Sequence, residues 1–210
     1  SPASLATRRR SWFCAIAMLA RPSGIVTLLT DFGTDDPYVG LLHGALLRAA
    51  PRLTVVDLTH GVPPQAVDVA AFHAFAAVGR FPNGTVHVAV VDPGVGTERR
   101  LLGVAAHDCY WLAPDNGLLA SLLRTAPAAD VRALDPAHLG LTPESATFHG
   151  RDLLAPIAAW LASGRYGFSA LGPRITDPDV EERVFCAPDR IVHVDHYGNL
   201  ISNLRATAAT

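Results

Sequence analysis

The feature that most constrains the fold is the alternation of short apolar runs with segments of helical periodicity. GIVTLLT (residues 24–30), LTVVDLTH (53–60) and GTVHVAVVD (84–92) predict strands, and continuous apolar runs are typical of strands buried on both faces of a sheet. Between them, YVGLLHGALLRAAP (38–51) and PQAVDVAAFHAFAAVGRFP (64–82) predict helices. This alternation favours an α/β fold: a Rossmann-like layered domain with a largely parallel central sheet.

The rest of the chain extends this pattern. LLGVAAHDCYWLAP (101–114) predicts two short strands, and NGLLASLLRTA (116–126) and RDLLAPIAAWLASG (151–164) predict helices. A loop-rich span precedes DRIVHVDHYGNLISNL (189–204), which predicts a strand, a turn and a second strand. We therefore expect an N-terminal extension outside the fold (1–23), an α/β domain with the candidate site (24–187) and the first strands of a truncated C-terminal β domain (188–210).

Composition and charge narrow the classes of function. The formal net charge is −2, which offers no basic surface to a nucleic acid backbone. The longest apolar run is too short to span a bilayer. The three cysteines are odd in number and form no C-x-x-C pair, a pattern that favours the cytoplasm over a disulfide-bonded extracellular protein. We expect neither nucleic acid nor membrane as a partner.

Three acids come at the ends of predicted strands. Asp31, Asp92 and Asp195 are each followed by glycine-containing sequence, namely DFG, DPGVG and DHYGN. Ligands of open α/β sheets bind outside the carboxyl ends of the strands. One such aspartate alone is more commonly a turn or cap residue, but three in equivalent positions indicate a ligand site.

A histidine precedes one of the predicted helices. His149 in TFHGRD stands just before the helix, where free N–H groups and the positive end of the helix favour a neutral imidazole. Such a histidine suits hydrogen bonding or proton transfer. The alternative is that Asp152 caps the helix and His149 is an exposed loop residue.

Recognised cofactor and metal motifs are missing from the sequence. There is no G-x-S-x-G, no P-loop, no G-x-G-x-x-G, no H-E-x-x-H and no EF-hand loop. Aspartates and histidines are numerous enough to form a metal shell, but none has a recognised ligand spacing. We expect no metal and no organic cofactor.

Six segments, in order, resemble one family. LLTDFGTDDPYVG, VVDLTH, FPNGTVHVAVVDPGVGTERR, APDNGLL, TFHGRD and VDHYGNLISN are similar to the S-adenosyl-L-methionine (SAM) hydroxide adenosyltransferases, the water-using relatives of fluorinase and chlorinase. The resemblance runs from about Ile25 to Leu204. It implies hydrolysis of SAM to adenosine and L-methionine, with SAM as substrate and no cofactor.

The resemblance also implies roles for individual residues. The catalytic residues would be Asp92, Arg99 and His149: Asp92 with His149 would orient the attacking water and accept its proton, and Arg99 would keep Asp92 ionised. Asp31 would bind the ribose hydroxyls, and Phe148 would lie against the substrate.

The C-terminal segment has its own implied part. Asp195 and Asn199 would hold the amino and carboxylate groups of methionine. In the family, a small β-barrel domain supplies adenine contacts to a site between the subunits of a trimer, and this chain contains its first strands, up to about Asn203. The resemblance therefore implies a homotrimer when that domain is complete.

Three alternatives stay open on sequence alone: a SAM- or adenosine-binding module without turnover, a SAM-dependent halogenase and a metal-dependent hydrolase. The halogenases have tyrosine in place of Asp92 and Tyr-Ser in place of His149-Gly150, and that serine helps to hold the halide. These differences favour water as the nucleophile. The halogenases also line the pocket with a tryptophan where this chain has Gln65, so that substrate contact is not carried over to this chain.

Overall fold

The computed structural model describes residues 19–181 and 189–204. Most of the predicted N-terminal extension, as well as the predicted domain junction at residues 187–188, lies outside these ranges. Within the described part, residues just before the first strand contact the domain, since Ser23 N–H donates to the Gly84 carbonyl at 3.0 Å.

The described elements alternate as the sequence predicts. They are β1 (Ile25–Thr30), α1 (Tyr38–Ala49), β2 (Thr54–Thr59), α2 (Val67–Ala76), β3 (Val86–Val90), β4 (Leu101–Ala106), β5 (Cys109–Pro114), α3 (Ala120–Thr125), β6 (Asp130–Ala133), α4 (Ala155–Ala162), β7 (Ile191–Val194) and β8 (Leu200–Ser202). A π-helical turn (Gly150–Leu154) leads into α4, and a 3₁₀ turn (Phe168–Leu171) follows it. No helix in the described ranges combines the length and apolar character needed to cross a bilayer.

Six strands form one sheet in the order β2-β1-β3-β5-β4-β6. The pairs β2–β1, β1–β3 and β3–β5 are parallel, whereas β4 is antiparallel to both of its neighbours. The predicted α/β fold with a largely parallel sheet is confirmed. β6 was not predicted.

Helices cover both faces of this sheet. Alternate residues of β3 point to opposite sides: Val86, Val88 and Val90 pack with α1 and α4, while Ala89 packs with α2 and α3. All five β3 residues are buried, as the unbroken apolar run predicts. The strand that precedes Asp92 is therefore held from both faces.

β2 and β3 lie on opposite sides of β1 in the sheet, so the strand order reverses between β1 and β3. Thr30 of β1 pairs with Val90 of β3. Asp31 and Asp92 therefore leave the sheet close to each other, at the kind of crevice where α/β proteins bind ligands.

A second, two-stranded antiparallel sheet begins at the C-terminal end, where β7 pairs with β8 as predicted. The hairpin packs on α2: the His193 ring lies 4.7 Å from that of His73 and 5.7 Å from that of Phe72. Arg190 also donates to Asp68 at 2.9 Å.

Candidate active site

A tight turn follows β3 and returns the chain toward the sheet. Val95 N–H donates to the Asp92 carbonyl at 3.2 Å, and the Thr97 hydroxyl donates to the Gly94 carbonyl at 2.7 Å. Gly96 adopts φ +84°, and a Cβ at this position would lie 3.2 Å from the Ala146 carbonyl oxygen. The turn thus brings residue 99 back to face Asp92.

Arg99 and Asp92 form a buried ion pair. Arg99 Nε donates to both Asp92 carboxylate oxygens at 2.7 Å, and Nη2 also contacts Oδ2. The two side chains are 10% and 7% exposed, respectively. At such a position the removal of one partner typically costs about 3–5 kcal/mol, because the other charge is left buried and unpaired.

His149 joins this pair through the same guanidinium. Arg99 Nη2 lies 3.1 Å from His149 Nδ1. A guanidinium only donates, so Nδ1 must accept and the ring proton resides on Nε2. Burial and then the Arg99 charge lower the pKa of His149 below its usual value, against the opposing charges of Asp92 and Asp152. The imidazole is neutral at pH 7, and the three residues form one cluster, the Asp92 cluster.

The π-helical turn brings His149 to this place. Gly150, the first residue of the turn, packs against the end of β3: a Cβ there would lie 3.2 Å from Val90 Cγ1 and 3.5 Å from Phe32 Cζ. Glycine therefore allows the turn to approach the strand closely. Asp152 does not cap the helix; it accepts from the Ser145 backbone N–H at 2.9 Å and so holds the preceding loop.

The loop after β1, which begins with Asp31, contacts Phe148 through its aromatic residues. Asp31 Oδ2 accepts from the backbone N–H of Gln65 at 2.8 Å, and Oδ1 makes no hydrogen bond within the described residues. The Phe148 ring meets those of Phe32 and Tyr38 edge to face, each at 5.6 Å between centroids. The aromatic contact joins the loop after β1 to the residue before His149.

Asp195 and Asn199 lie together on the β7–β8 hairpin. Asp195 Oδ1 accepts from the backbone N–H groups of Tyr197 and Asn199, and Oδ2 accepts from the Asn199 amide at 2.7 Å. The Asn199 bonds lower the pKa of Asp195. In the described part of the chain neither residue bonds to the Asp92 cluster, and their side-chain hydrogen bonds lie within the hairpin.

Asn116 and the ion pair Arg100–Asp115 hold the ends of the strands around Asp92. The sequence does not predict them as site residues. The Asn116 amide donates to the Val91 carbonyl at 2.9 Å, directly before Asp92. Arg100 Nε donates to Asp115 at 2.8 Å, which forms a second ion pair with a buried carboxylate. Asp115 and Asn116 both belong to APDNGLL, one of the six segments that resemble the family. That resemblance was the sequence feature that could have marked them as residues near the site.

Within residues 19–181 and 189–204, one set of three His, Cys, Asp or Glu side chains is close enough to hold a metal ion: His43, Asp57 and His60. The set contains none of the seven predicted site residues. A cavity of about 580 Å³ lies between α1, residues 141–144 and α4, and it reaches Arg151 and Asp152 but not the Asp92 cluster.

The geometry of the Asp92 cluster defines what it can do. A carboxylate has about four lone-pair sites, so Asp92 retains acceptor capacity beyond its bonds to Arg99. The Nε2–H of His149, in contrast, is a hydrogen-bond donor. The cluster thus offers both an acceptor and a donor, the two functions needed to orient a water molecule and take its proton as it reacts.

Most of this chain is similar to proteins of one known family. The model of the SAM hydroxide adenosyltransferase N-terminal domain matches residues 26–172. A protein of Salinispora arenicola named (R)-S-adenosyl-L-methionine hydrolase is 40% identical over 194 residues, which are 88% of this chain and 72% of the relative. A Thermus thermophilus protein of the same name is 38% identical, over 85% of this chain and 74% of the relative.

A solved structure shares the fold. The crystal structure of an uncharacterized conserved protein from Thermotoga maritima superposes with a TM-score of 0.78 at 33% identity, over 85% of this chain and 71% of that one. The family model covers β1 to the 3₁₀ turn, including five of the seven predicted site residues. The chain belongs to the SAM hydroxide adenosyltransferase family.

Proposed function

We propose that this chain hydrolyses SAM to adenosine and L-methionine. The observation that carries the proposal is the Asp92–Arg99–His149 cluster at the carboxyl end of β3, in which the side chains of Asp92 and Arg99 are almost fully covered. Relatives named as SAM hydrolases support the choice of substrate.

The reaction is an in-line substitution at C5′ of the ribose. A lone pair of water forms the C5′–O bond while the C5′–S bond breaks and its electron pair returns to sulfur. The sulfonium becomes the neutral thioether of methionine, and one proton leaves the attacking water. Because water is a weak nucleophile, the site must fix it near attack geometry and accept that proton.

Each member of the Asp92 cluster has a distinct part. Asp92 accepts a hydrogen bond from the attacking water and takes its proton as the C5′–O bond forms. Arg99 pairs with the Asp92 carboxylate and fixes the orientation of both Asp92 and His149. His149, neutral with its proton on Nε2, serves as a donor that orients the water rather than as the primary base, because Nδ1 already accepts from Arg99.

The remaining predicted residues bind the substrate. Asp31 Oδ1, which has no partner among the described residues, accepts from a ribose hydroxyl while Oδ2 stays on the Gln65 backbone. Phe148 forms an apolar wall next to His149. Asp195 and Asn199 hold the methionine amino and carboxylate groups, and they must exchange part of their bonds within the hairpin to do so.

Water is favoured over halide at this site. The negative charge of Asp92 repels an anion, and Gly150 offers no hydroxyl to bind one. We also propose that the reaction uses no cofactor, that the working assembly is a homotrimer and that the compartment is the cytoplasm, in keeping with the free thiol of buried Cys109.

The test is product formation from SAM by the purified chain, followed by chromatography. We expect adenosine and methionine in equal amounts, and no 5′-halogenated nucleoside when chloride or fluoride is added. Asp92→Asn removes the base and should lower turnover by about 10²–10⁴-fold. The control is Asp130→Asn, which breaks a partly buried carboxylate–arginine pair on the edge strand β6, outside the Asp92 cluster.

The outcomes separate the alternatives. Turnover that Asp92→Asn lowers by about 10²–10⁴-fold and Asp130→Asn largely keeps supports the hydrolase. SAM binding without adenosine release would make the chain a binding module. Turnover unaffected by Asp92→Asn would refute the assignment of this cluster as the active site.

A further inference from the structure

A second group of polar side chains lies on the other strand that borders β1. His43 of α1, Asp57 of β2 and His60 just after β2 place their side-chain ligand atoms within 4.8 Å of one another. His43 Nε2 lies 2.8 Å from Asp57 Oδ1, and His60 Nε2 lies 3.1 Å from the same oxygen. None of these side chains belongs to the Asp92 cluster.

His60 is the unusual member of the group. Its side chain is only 6% exposed, and its Nε2 has no hydrogen bond within the described ranges, despite its closeness to Asp57. Its Nδ1 lies 2.8 Å from Oγ1 of the buried Thr30. When Nδ1–H donates to that oxygen, the Nε2 lone pair points toward the Asp57 carboxylate. In that tautomer two electron-rich atoms stand 3.1 Å apart, and a cation between them removes their repulsion. In the other tautomer the Nε2–H does not reach hydrogen-bond geometry with Asp57.

The spacing fits a small divalent ion. Zinc binds histidine nitrogen and carboxylate oxygen at about 2.0–2.2 Å in tetrahedral geometry, so that neighbouring ligands stand about 3.3 Å apart. The separations of 2.8 and 3.1 Å are shorter than this value by about 0.5 and 0.2 Å, so the three side chains must move apart slightly to admit the ion. Asp57 and His43 are 42% and 30% exposed, which leaves room for a water ligand.

The surroundings supply the orienting contact that metal-binding histidines usually have. Thr30 Oγ1 contacts His60 Nδ1 and also accepts from the Phe32 backbone N–H at 3.2 Å. The His60 carbonyl accepts from Gly33 N–H at 2.9 Å. These bonds fix the ring and connect it to the loop that carries Asp31.

We propose that His43, Asp57 and His60 bind one Zn²⁺ ion at a site separate from the Asp92 cluster. The ion ties α1 to the edge strand β2 and, through His60 and Thr30, steadies the loop after β1. The sequence showed no metal motif because the ligands come from two elements at spacings of 14 and 3 residues. The proposal does not depend on the proposed SAM hydrolysis.

The test measures metal binding directly. The untagged chain, freed of metal by dialysis against a chelator, is titrated with Co²⁺, whose visible absorption reports four- or five-coordinate binding, and Zn²⁺ is then added as competitor. We expect one Co²⁺ per chain, displaced by Zn²⁺. His43→Ala, Asp57→Asn and His60→Ala should each weaken binding by about tenfold or more. His138→Ala, at an exposed histidine elsewhere, should bind like the wild type.

A second readout covers a variant that folds poorly. Zn²⁺ should raise the Tm of the wild type and of His138→Ala, but not that of His43→Ala, whose partly exposed position on α1 tolerates truncation. No visible Co²⁺ spectrum and no Tm rise with the wild type would overturn the proposal. Binding that is equally strong in all variants would also overturn it, because the ion would then occupy other residues.

Discussion

His87 makes the stability of β3, the strand that leads to Asp92, dependent on pH. The side chain is 2% exposed, its ring stacks on Trp111 at 4.0 Å between centroids, and Nδ1 lies 2.7 Å from Thr27 Oγ1. Nε2 makes no hydrogen bond among the described residues. Burial lowers the pKa of His87 from 6.5 to about 4, since a charged imidazole has nothing there to replace its hydration.

The size and sign of the effect follow from this pKa. A difference of about 2.5 units corresponds to about 3 kcal/mol at 1.36 kcal/mol per unit. Well above pH 6.5 the imidazole is neutral in both the folded and the unfolded state, and the full stability is present. As the pH falls from 6.5 toward 4, the unfolded chain takes up the proton first, and the free energy of unfolding decreases. Between pH 7 and pH 5, His87 should account for a loss of about 2 kcal/mol.

Urea denaturation at pH 7, 6 and 5 measures this loss. His87→Phe removes the titrating group and keeps an aromatic ring against Trp111, so its free energy of unfolding should fall by about 2 kcal/mol less than that of the wild type over this range. His138→Gln, at an exposed position, should follow the wild type. Parallel pH profiles for the wild type and His87→Phe would refute the reasoning.

Three further predictions concern the Asp92 cluster. Arg99→Lys keeps the positive charge but loses the forked contact to Asp92 and the bond to His149, so kcat for SAM hydrolysis should fall about tenfold or more. A steady-state assay measures this, and a kcat equal to that of the wild type would contradict the prediction. Because burial and the Arg99 charge lower the pKa of His149, its neutral form persists below pH 6.5, and the rate of SAM hydrolysis should stay constant from pH 7.5 to about 6.5 and decline only at lower pH. The decline at low pH should disappear in His149→Gln; an unchanged decline in this variant would mean that another group causes it. Gly150→Ala places a methyl group 3.2 Å from Val90 Cγ1 and should lower the free energy of unfolding by about 1–3 kcal/mol. Thermal unfolding tests this; an unchanged Tm would contradict it and would mean that the end of β3 shifts to make room for the methyl group.

The sequence predicted the elements that have a strong local pattern. β1, β3, α1 and the C-terminal hairpin were expected close to their observed bounds, because apolar runs and turn residues mark them. β6 was missed because its four residues, DVRA, include two charged ones. Its pairing with β4 stabilises it, and that pairing with a distant segment is not visible in a local pattern.

For the site, the sequence placed the acids at strand ends, and the structure brings Asp92, Arg99 and His149 into direct contact. The tautomer of His149 could not be predicted, since it follows from a contact across 50 residues. Nor could the bond from the Gln65 backbone to Asp31, which depends on an unusual positive φ at Gln65. The roles of these residues in catalysis stay predictions.

The most direct test of the central claim is SAM turnover in water labelled with heavy oxygen, with the adenosine product analysed by mass spectrometry. Direct attack of water on C5′ predicts one labelled oxygen in the 5′-hydroxyl of adenosine, formed by the wild type and almost absent with Asp92→Asn. Adenosine without the label, or a product other than adenosine and methionine, would contradict an Asp92-directed attack of water on the ribose carbon.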